Sequence, residues 1–367
     1  MPPTVYVSAG EPSGDRYAAG VALALRRAMP GVRLEAMGGP ALAGADVALR
    51  HRMERLQALG LVEAADTLPA HLRILADLRR WFRAEPPELV VLVDYPGFHA
   101  RVARAARTAG IPVLQYVAPQ LWAWGRWRAR RWRQSVDRLA VILPFEEPFF
   151  RALGFPVQFV GHPLLDGAAP DRPAARATLG LGATTPVLGL FPGSRPREIA
   201  RLWPGFRDAA AILRRDAPAL HVVVAGVPGA SYPGLERTGI TVAAPELARA
   251  AADAALAKSG TTTLELALTD TPHVVAYRMP RLTYAVARRV VDVPWVGLVN
   301  LLAGHAVVPE LLQDEVTPAR LAEGVRPLFE RGAGAAGQRA GFAAVRAQLG
   351  APGAADRVAA TARELVS

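Results

Sequence analysis

Three short loops in this 367-residue chain combine glycine, hydroxyl groups and charge in the manner of anion-binding turns. The first, Ser8-Ala9-Gly10-Glu11-Pro12-Ser13-Gly14-Asp15, follows an apolar run. Ser13 is the expected N-cap of the next helix. Gly10 and Gly14 permit positive φ and close backbone approach, so nearby amides could face a phosphate or a sugar. A purely structural turn would use the same glycines, but Glu11 and Asp15 place titratable groups at a strand's carboxyl end. The second loop, Phe191-Pro192-Gly193-Ser194-Arg195-Pro196-Arg197-Glu198, offers the amides of Gly193 and Ser194 with a cation at Arg195, a set that suits a departing diphosphate. Its plainer reading is an N-cap followed by a surface arginine. The third is Lys258-Ser259-Gly260-Thr261-Thr262-Thr263-Leu264-Glu265. Its amides and hydroxyls can hold phosphate oxygens, and Glu265, one turn into a helix, can accept two ribose hydroxyls. Asp94 ends the apolar run 89–93, where Pro96 and Gly97 force a turn. A carboxylate there is either a helix cap or a general base.

Other chemistries lose support. The chain has no Cys, which removes disulfides, thiolate metal sites and cysteine nucleophiles together and makes a reducing cytoplasm the default location. No Asp-x-Asp, HExxH, Walker A or GxSxG pattern occurs, and the seven histidines are scattered. No metal and no cofactor is expected. Two anion-suited loops in the second half instead favour a nucleotide diphosphate. Lys+Arg number 43 against 32 Asp+Glu, a net +11 carried almost wholly by guanidinium groups, since Lys258 is the only lysine. Such a surface favours anionic partners.

These loops need strands and helices to hold them. Apolar runs at 4–8, 32–37, 88–94, 112–117, 138–143 and 156–160 alternate with Arg/Ala-rich helical segments such as 15–29 and 98–109. The alternation restarts at 187–192, 220–226, 239–243, 254–258 and 273–277, and the tail beyond about 318 reads as helices. Alternating strands and helices predict α/β architecture: two doubly wound parallel sheets with a ligand cleft at their carboxyl ends. The expected boundaries are an N-terminal domain at 1–167, a linker at 168–186 rich in Pro, Gly and Ala, a C-terminal domain at 187–330, and terminal helices at 331–367. Those last helices would pack on the first domain or on the partner chain of a homodimer.

Read together, SAGEPSGD (8–15), MGGPAL (37–42), LGLVE (59–63), VDYPGF (93–98), YVAPQLWAW (116–124), ILPFE (142–146), FVGHPLLD (159–166), FPGSRPREI (191–199), SGTTTLE (259–265), VAYRM (275–279) and VNLLAGHAVVPELLQ (299–313) resemble the lipid-A-disaccharide synthases, glycosyltransferases of family 19, in the family's own order. The resemblance implies a GT-B fold and a metal-independent, inverting transfer. UDP-2,3-diacylglucosamine would condense with 2,3-diacylglucosamine 1-phosphate to give a β-1,6-linked disaccharide and UDP. It implies UDP against Arg195, Ser259, Gly260, Thr261, Glu265 and Asn300, with Arg278 and Gln313 nearby. Asp94 matches an aspartate the family is thought to need. Two departures bear on the base: many relatives have Asp where Gly97 stands and Asn where His99 stands. Glu11 and His162 are therefore the other candidate bases. Lys258 stands where relatives often have a small residue, and its role is open.

Both substrates carry acyl chains, so association with an anionic membrane surface on the cytoplasmic side is expected. The N-terminal stretch lacks a basic leader, and 295–312 is interrupted by Asn300, His305 and Pro309, so neither export nor a span is predicted. In 71–83, Ile74, Leu75, Leu78, Trp81 and Phe82 form one helical stripe flanked by arginines, either a membrane face or an ordinary core face. Trp122, Trp124, Arg126 and Trp127 lie in a second Trp/Arg segment. Competing functions are another UDP-sugar enzyme of the same fold, such as a sugar-nucleotide 2-epimerase, and a basic nucleic-acid binder. The latter lacks any OB, RRM or helix-turn-helix signature, so no nucleic acid is expected.

Overall fold

The computed structural model describes residues 2–53, 61–167, 170–291, 293–329 and 332–366, without the side chains of 61–67, 282 and 286. The LGLVE segment (59–63) lies outside what can be described at side-chain level. The chain divides into two compact units, Met1–Gly167 with Leu349–Ser367, and Ala168–Gln348.

Unit 1 contains β1 (Thr4–Ala9), β2 (Arg33–Gly38), β3 (Ala48–Arg52), β4 (Leu89–Val93), β5 (Val113–Tyr116), β6 (Arg138–Val141) and β7 (Val157–Phe159). They form a parallel sheet of order β3-β2-β1-β4-β5-β6-β7. Strands such as Leu89–Val93 read as unbroken apolar runs because helices cover both faces and every residue is buried. Unit 2 contains β8 (Val187–Phe191), β9 (His221–Ala225), β10 (Thr241–Ala243), β11 (Ala254–Lys258), β12 (His273–Tyr277) and β13 (Glu310–Leu312), in the order β10-β9-β8-β11-β12-β13, again parallel. In each sheet the strand order reverses beside the first strand, between β1 and β4 and between β8 and β11. Ligands of doubly wound sheets bind at the carboxyl ends of such switch points.

The described residues 170–186 of the expected linker fold with unit 2. Asp171 caps a helix at Arg172–Thr178 by accepting from the Ala174 amide at 2.9 Å. Arg176, 5% exposed, donates to Asp253 at 2.6 Å and to the carbonyls of Gly182, Ala183 and Thr185. Those bonds bind the segment to unit 2. The terminal helices also divide. In the Ala333–Gln348 helix, Gln338 accepts from the His273 amide at 2.8 Å and Phe342 stacks on the His273 ring, which keeps it in unit 2. The Ala354–Val366 helix belongs to unit 1. Asp166 accepts from the amides of Gly353 (2.6 Å), Ala354 and Ala355 at its start, and Arg357 donates to the Val160 carbonyl.

The stripe at 74–82 is core. Ile74, Leu75, Leu78, Trp81 and Phe82 are all buried in the main apolar cluster of unit 1. The Trp81 ring meets Tyr6 edge-on at 5.5 Å and carries the Arg50 guanidinium 4.1 Å from its centroid. The face of the Leu61–Ala84 helix that meets water instead shows Leu72, Arg73, Arg79, Arg80 and Arg83.

Candidate active site

At the carboxyl end of β1 the chain turns into the Pro12–Ala28 helix. Glu11 is its N-cap, so Ser13 sits inside the first turn and caps nothing. Neither Gly10 nor Gly14 adopts positive φ. A side chain at Gly10 would overlap the Tyr95 ring, so this glycine serves close approach. Asp15 is 2% exposed and accepts from the amides of Gly39 (2.7 Å), Ala41 (2.8 Å) and Leu42 (3.4 Å). It clips the MGGPAL turn to the first helix, and both oxygens are used; a ligand role for Asp15 is not supported.

Beside that turn, β4 ends in strain. Asp94 and Tyr95 take φ of 54° and 51°, and Val117, just past β5, takes 62°. Consecutive left-handed non-glycine residues cost of order 1–3 kcal/mol each and persist where their surroundings hold them. The hold here is His99, fully buried on the Pro96–Thr108 helix. Its Nδ1 lies 2.6 Å from the Asp94 carbonyl and its Nε2 2.9 Å from Ser8 Oγ. A carbonyl only accepts, so Nδ1 carries the proton and Nε2 accepts from the serine hydroxyl. Burial pushes the imidazole down to about 4, so it stays neutral. Gln115 adds donors to the Asp94 and Val117 carbonyls at 3.4 and 3.0 Å. A Cβ at Gly97 would meet nothing within 4 Å, so the turn has room for a side chain there.

Glu146, which the residue pattern did not single out, is the other buried carboxyl of this end of the sheet. It accepts from Trp122 Nε1 at 3.0 Å and from the Leu143 and Ile142 amides at 3.0 and 3.2 Å. Burial pushes it up to about 7 against those bonds, with the Asp94 charge adding in the same direction. Its sequence signal was an acidic residue directly behind an apolar strand, in ILPFE. His162 is 2% exposed, and burial pushes it down to about 4. Its Nδ1 accepts from the Leu164 amide at 3.2 Å, leaving the proton on Nε2. With its lone pair engaged in a local cap, it is not a base.

In unit 2, Gly193 has φ of 129°, and a Cβ there would lie 2.6 Å from Glu198 Oε2. Arg195 is the extended N-cap of the Pro196–Asp216 helix, its side chain about half exposed. The Ser194 amide donates to Glu198 Oε2 at 3.2 Å, and Lys258 Nζ lies 3.0 Å from Glu198 Oε1. Gly260, at φ 152° and ψ −163°, caps the Thr261–Leu268 helix in a conformation almost restricted to glycine. No side chain caps this helix; the Thr263 amide donates to the Gly260 carbonyl at 3.1 Å, which places the amides of Thr261 and Thr262 at its opening. Ser259 is buried, donating its amide to the Ala276 carbonyl and its hydroxyl to the Val296 carbonyl at 2.5 Å. Glu265 pairs with Arg249 at 2.7 Å.

Asn300 is a correction. It is fully buried and uses all four hydrogen-bonding positions. Nδ2 donates to the Val308 carbonyl and to Glu310 Oε1, both at 2.9 Å, and Oδ1 accepts from the Val307 and Val308 amides at 2.8 and 2.9 Å. Nothing remains for a nucleotide; Asn300 shapes the loop before β13. Arg278 donates to the Gln313 and Val316 carbonyls, and the Gln313 amide pairs both ways with the Met279 backbone at 2.8 and 3.1 Å. These bonds join the carboxyl ends of β12 and β13.

Comparison with known proteins agrees with this architecture. The family described as lipid-A-disaccharide synthetase matches residues 5–346. The lipid-A-disaccharide synthase of Myxococcus xanthus is 41% identical over 376 residues, covering 100% of this chain and 98% of that protein. Among solved structures, the glycotransferase of kitacinnamycin superposes with a TM-score of 0.67 at 16% identity, covering 100% of both chains. The UDP-GlcNAc 2-epimerase of Neisseria meningitidis, solved with UDP-GlcNAc bound, superposes at 0.64 with 12% identity over 98% of each chain. Transferase and epimerase share this fold, so only the match in sequence discriminates between them.

Proposed function

Because the chain belongs to the lipid-A-disaccharide synthetase family of GT-B glycosyltransferases, we propose that its two sheets divide the reaction between donor and acceptor chemistry. The transfer joins a UDP-linked diacylglucosamine to a diacylglucosamine 1-phosphate. An α-linked donor converted to a β-glycoside requires in-line attack with inversion. One base must take the acceptor hydroxyl proton while positive groups stabilise the departing diphosphate. Asp94 is that base. The observation that carries this assignment is the pair of left-handed residues at the end of β4, anchored by a neutral buried His99 that is bonded to the Asp94 carbonyl. His99 is a positioning residue. Glu146, which accepts from Trp122, braces the adjacent loop.

The UDP group is assigned to unit 2, where Arg195 and the amides opening the Thr261–Leu268 helix provide positive charge without a metal. Glu265 is assigned to the ribose. Loss of a charged contact in a desolvated site costs about 1.5–3 kcal/mol, a tenfold to hundredfold loss of affinity. Arg195→Ala is expected to weaken UDP binding by that factor in titration calorimetry with the melting temperature unchanged. Equal affinity in both proteins removes Arg195 from the site.

Membrane attachment is assigned to the exposed Trp/Arg segment instead of the buried stripe. Trp127 is 79% exposed and Trp124 47%, with Arg126, Arg130, Arg131 and Arg133 also exposed. Tryptophan favours the membrane–water boundary, and each arginine near an anionic surface adds about 1 kcal/mol. No helix among the described residues is long and apolar enough to cross a membrane. Sedimentation with anionic vesicles is expected to fall steeply with salt and to weaken further in the Trp124→Ser/Trp127→Ser protein, while UDP affinity holds. Equal sedimentation with neutral and anionic vesicles rejects the assignment.

A further inference from the structure

Lys258 is the chain's one lysine, and the cation that precedes the SGT turn has an unusual setting. Its ammonium lies 3.7 Å from the position a Cβ would take on Gly260, the N-cap of the Thr261–Leu268 helix. A cation at a helix N-terminus opposes the macrodipole and needs an anion close by. The anion present is Glu198, in the first turn of the Pro196–Asp216 helix that follows β8; β8 and β11 pair in parallel, and Lys258 is the last residue of β11.

Glu198 does more than pair with lysine. Its two oxygens also take the Ser194 amide at 3.2 Å and approach Arg195 Nη1 at 4.0 Å. The absence of a side chain at Gly193 makes room for it. The carboxylate is thus surrounded by a backbone amide, a guanidinium and an ammonium, the same set of donors that a phosphate oxygen accepts from. Both side chains are about one-fifth exposed, so the pair can open to an incoming ligand.

We propose that Glu198 is a resident counter-anion that a diphosphate displaces, and that Lys258, once released, binds the diphosphate together with Arg195. The inference rests on the assignment of UDP to unit 2 and adds to it the residues that set preference for diphosphate over monophosphate. Two cations at adjacent strand ends match two phosphoryl groups, whereas a single phosphate occupies one of them. The ion pair also carries a cost: each binding event exchanges Glu198 for phosphate, so the native carboxylate holds UDP affinity below what the cations alone would give.

The test is titration calorimetry of UDP and UMP against the full chain and the variants Lys258→Met and Glu198→Gln. Met keeps the apolar stem, and Gln keeps an acceptor for the Ser194 amide. Lys258→Met is expected to weaken UDP about tenfold to a hundredfold and UMP by less than threefold. Glu198→Gln is expected to tighten UDP several-fold, and the double variant is expected to lose that gain. Unchanged UDP affinity in Lys258→Met, or weaker UDP binding in a folded Glu198→Gln protein, overturns the proposal. If the unmodified chain binds no UDP, the assignment of the nucleotide to unit 2 fails first. Thermal melting of each variant distinguishes a lost contact from a lost fold.

Discussion

Asp94→Asn is expected to lower turnover by about 10²–10⁴-fold while UDP affinity stays within a factor of two. The substitution is chosen for its backbone. Asp94 sits at φ 54°, and asparagine tolerates the left-handed region as well as aspartate does, so the strained turn and its His99 bond survive. Only proton acceptance is lost. Alanine would confound the result, because it would add backbone strain to the missing carboxylate. The measurement is the initial rate of disaccharide phosphate formation by mass detection, with a chelator arm in which the rate is expected to hold. Near-normal turnover in Asp94→Asn would transfer the base to Glu11, since His162 has its lone pair engaged with the Leu164 amide.

Trp81→Ala is expected to destabilise unit 1 by about 3–5 kcal/mol, a large share of the 5–15 kcal/mol that usually separates folded from unfolded domains. The ring is 7% exposed, packed on Tyr6 and Phe82 and covered by the Arg50 guanidinium. Its removal forfeits both transfer free energy and an edge-on aromatic contact. Trp127→Ala, at an exposed position, should stay within about 0.5 kcal/mol of the unmodified chain. Urea denaturation followed by tryptophan fluorescence and circular dichroism separates the two cases. A stable Trp81→Ala protein that has lost vesicle binding would restore the stripe as a membrane face.

Part of this molecule was legible from residue order. The central strands of both sheets stood out because a strand buried on both faces carries an unbroken apolar run, as in LVVLV and HVVVA. β3, with the sequence ALRHR, did not, since an edge strand alternates and its polar half resembles a loop. β13 is three residues long and gave too little pattern to read. The helix at Arg172–Thr178 was hidden by flanking proline and glycine, although Asp171 is an ordinary N-cap.

Residue type and spacing by themselves determined that carboxylates and glycine turns stand at the ends of buried strands, that two α/β units exist, and that a run of motifs places the chain in one enzyme family. Those properties are local, or are read by matching order. The use made of each polar group was decided only by the tertiary structure. Asp15 finds its three amides more than twenty residues away, and Lys258 finds Glu198 sixty residues away, on the helix that follows the adjacent strand. Asn300 is spent on the loop before β13, although the family resemblance had implied a nucleotide contact. A hydrogen-bonding group announces its capacity in the sequence, but whether that capacity is consumed depends on which backbone the fold brings within 3 Å. The same limit governed the stripe at 74–82. Periodicity identifies the side chains that avoid water, and only packing reveals whether protein or lipid covers them.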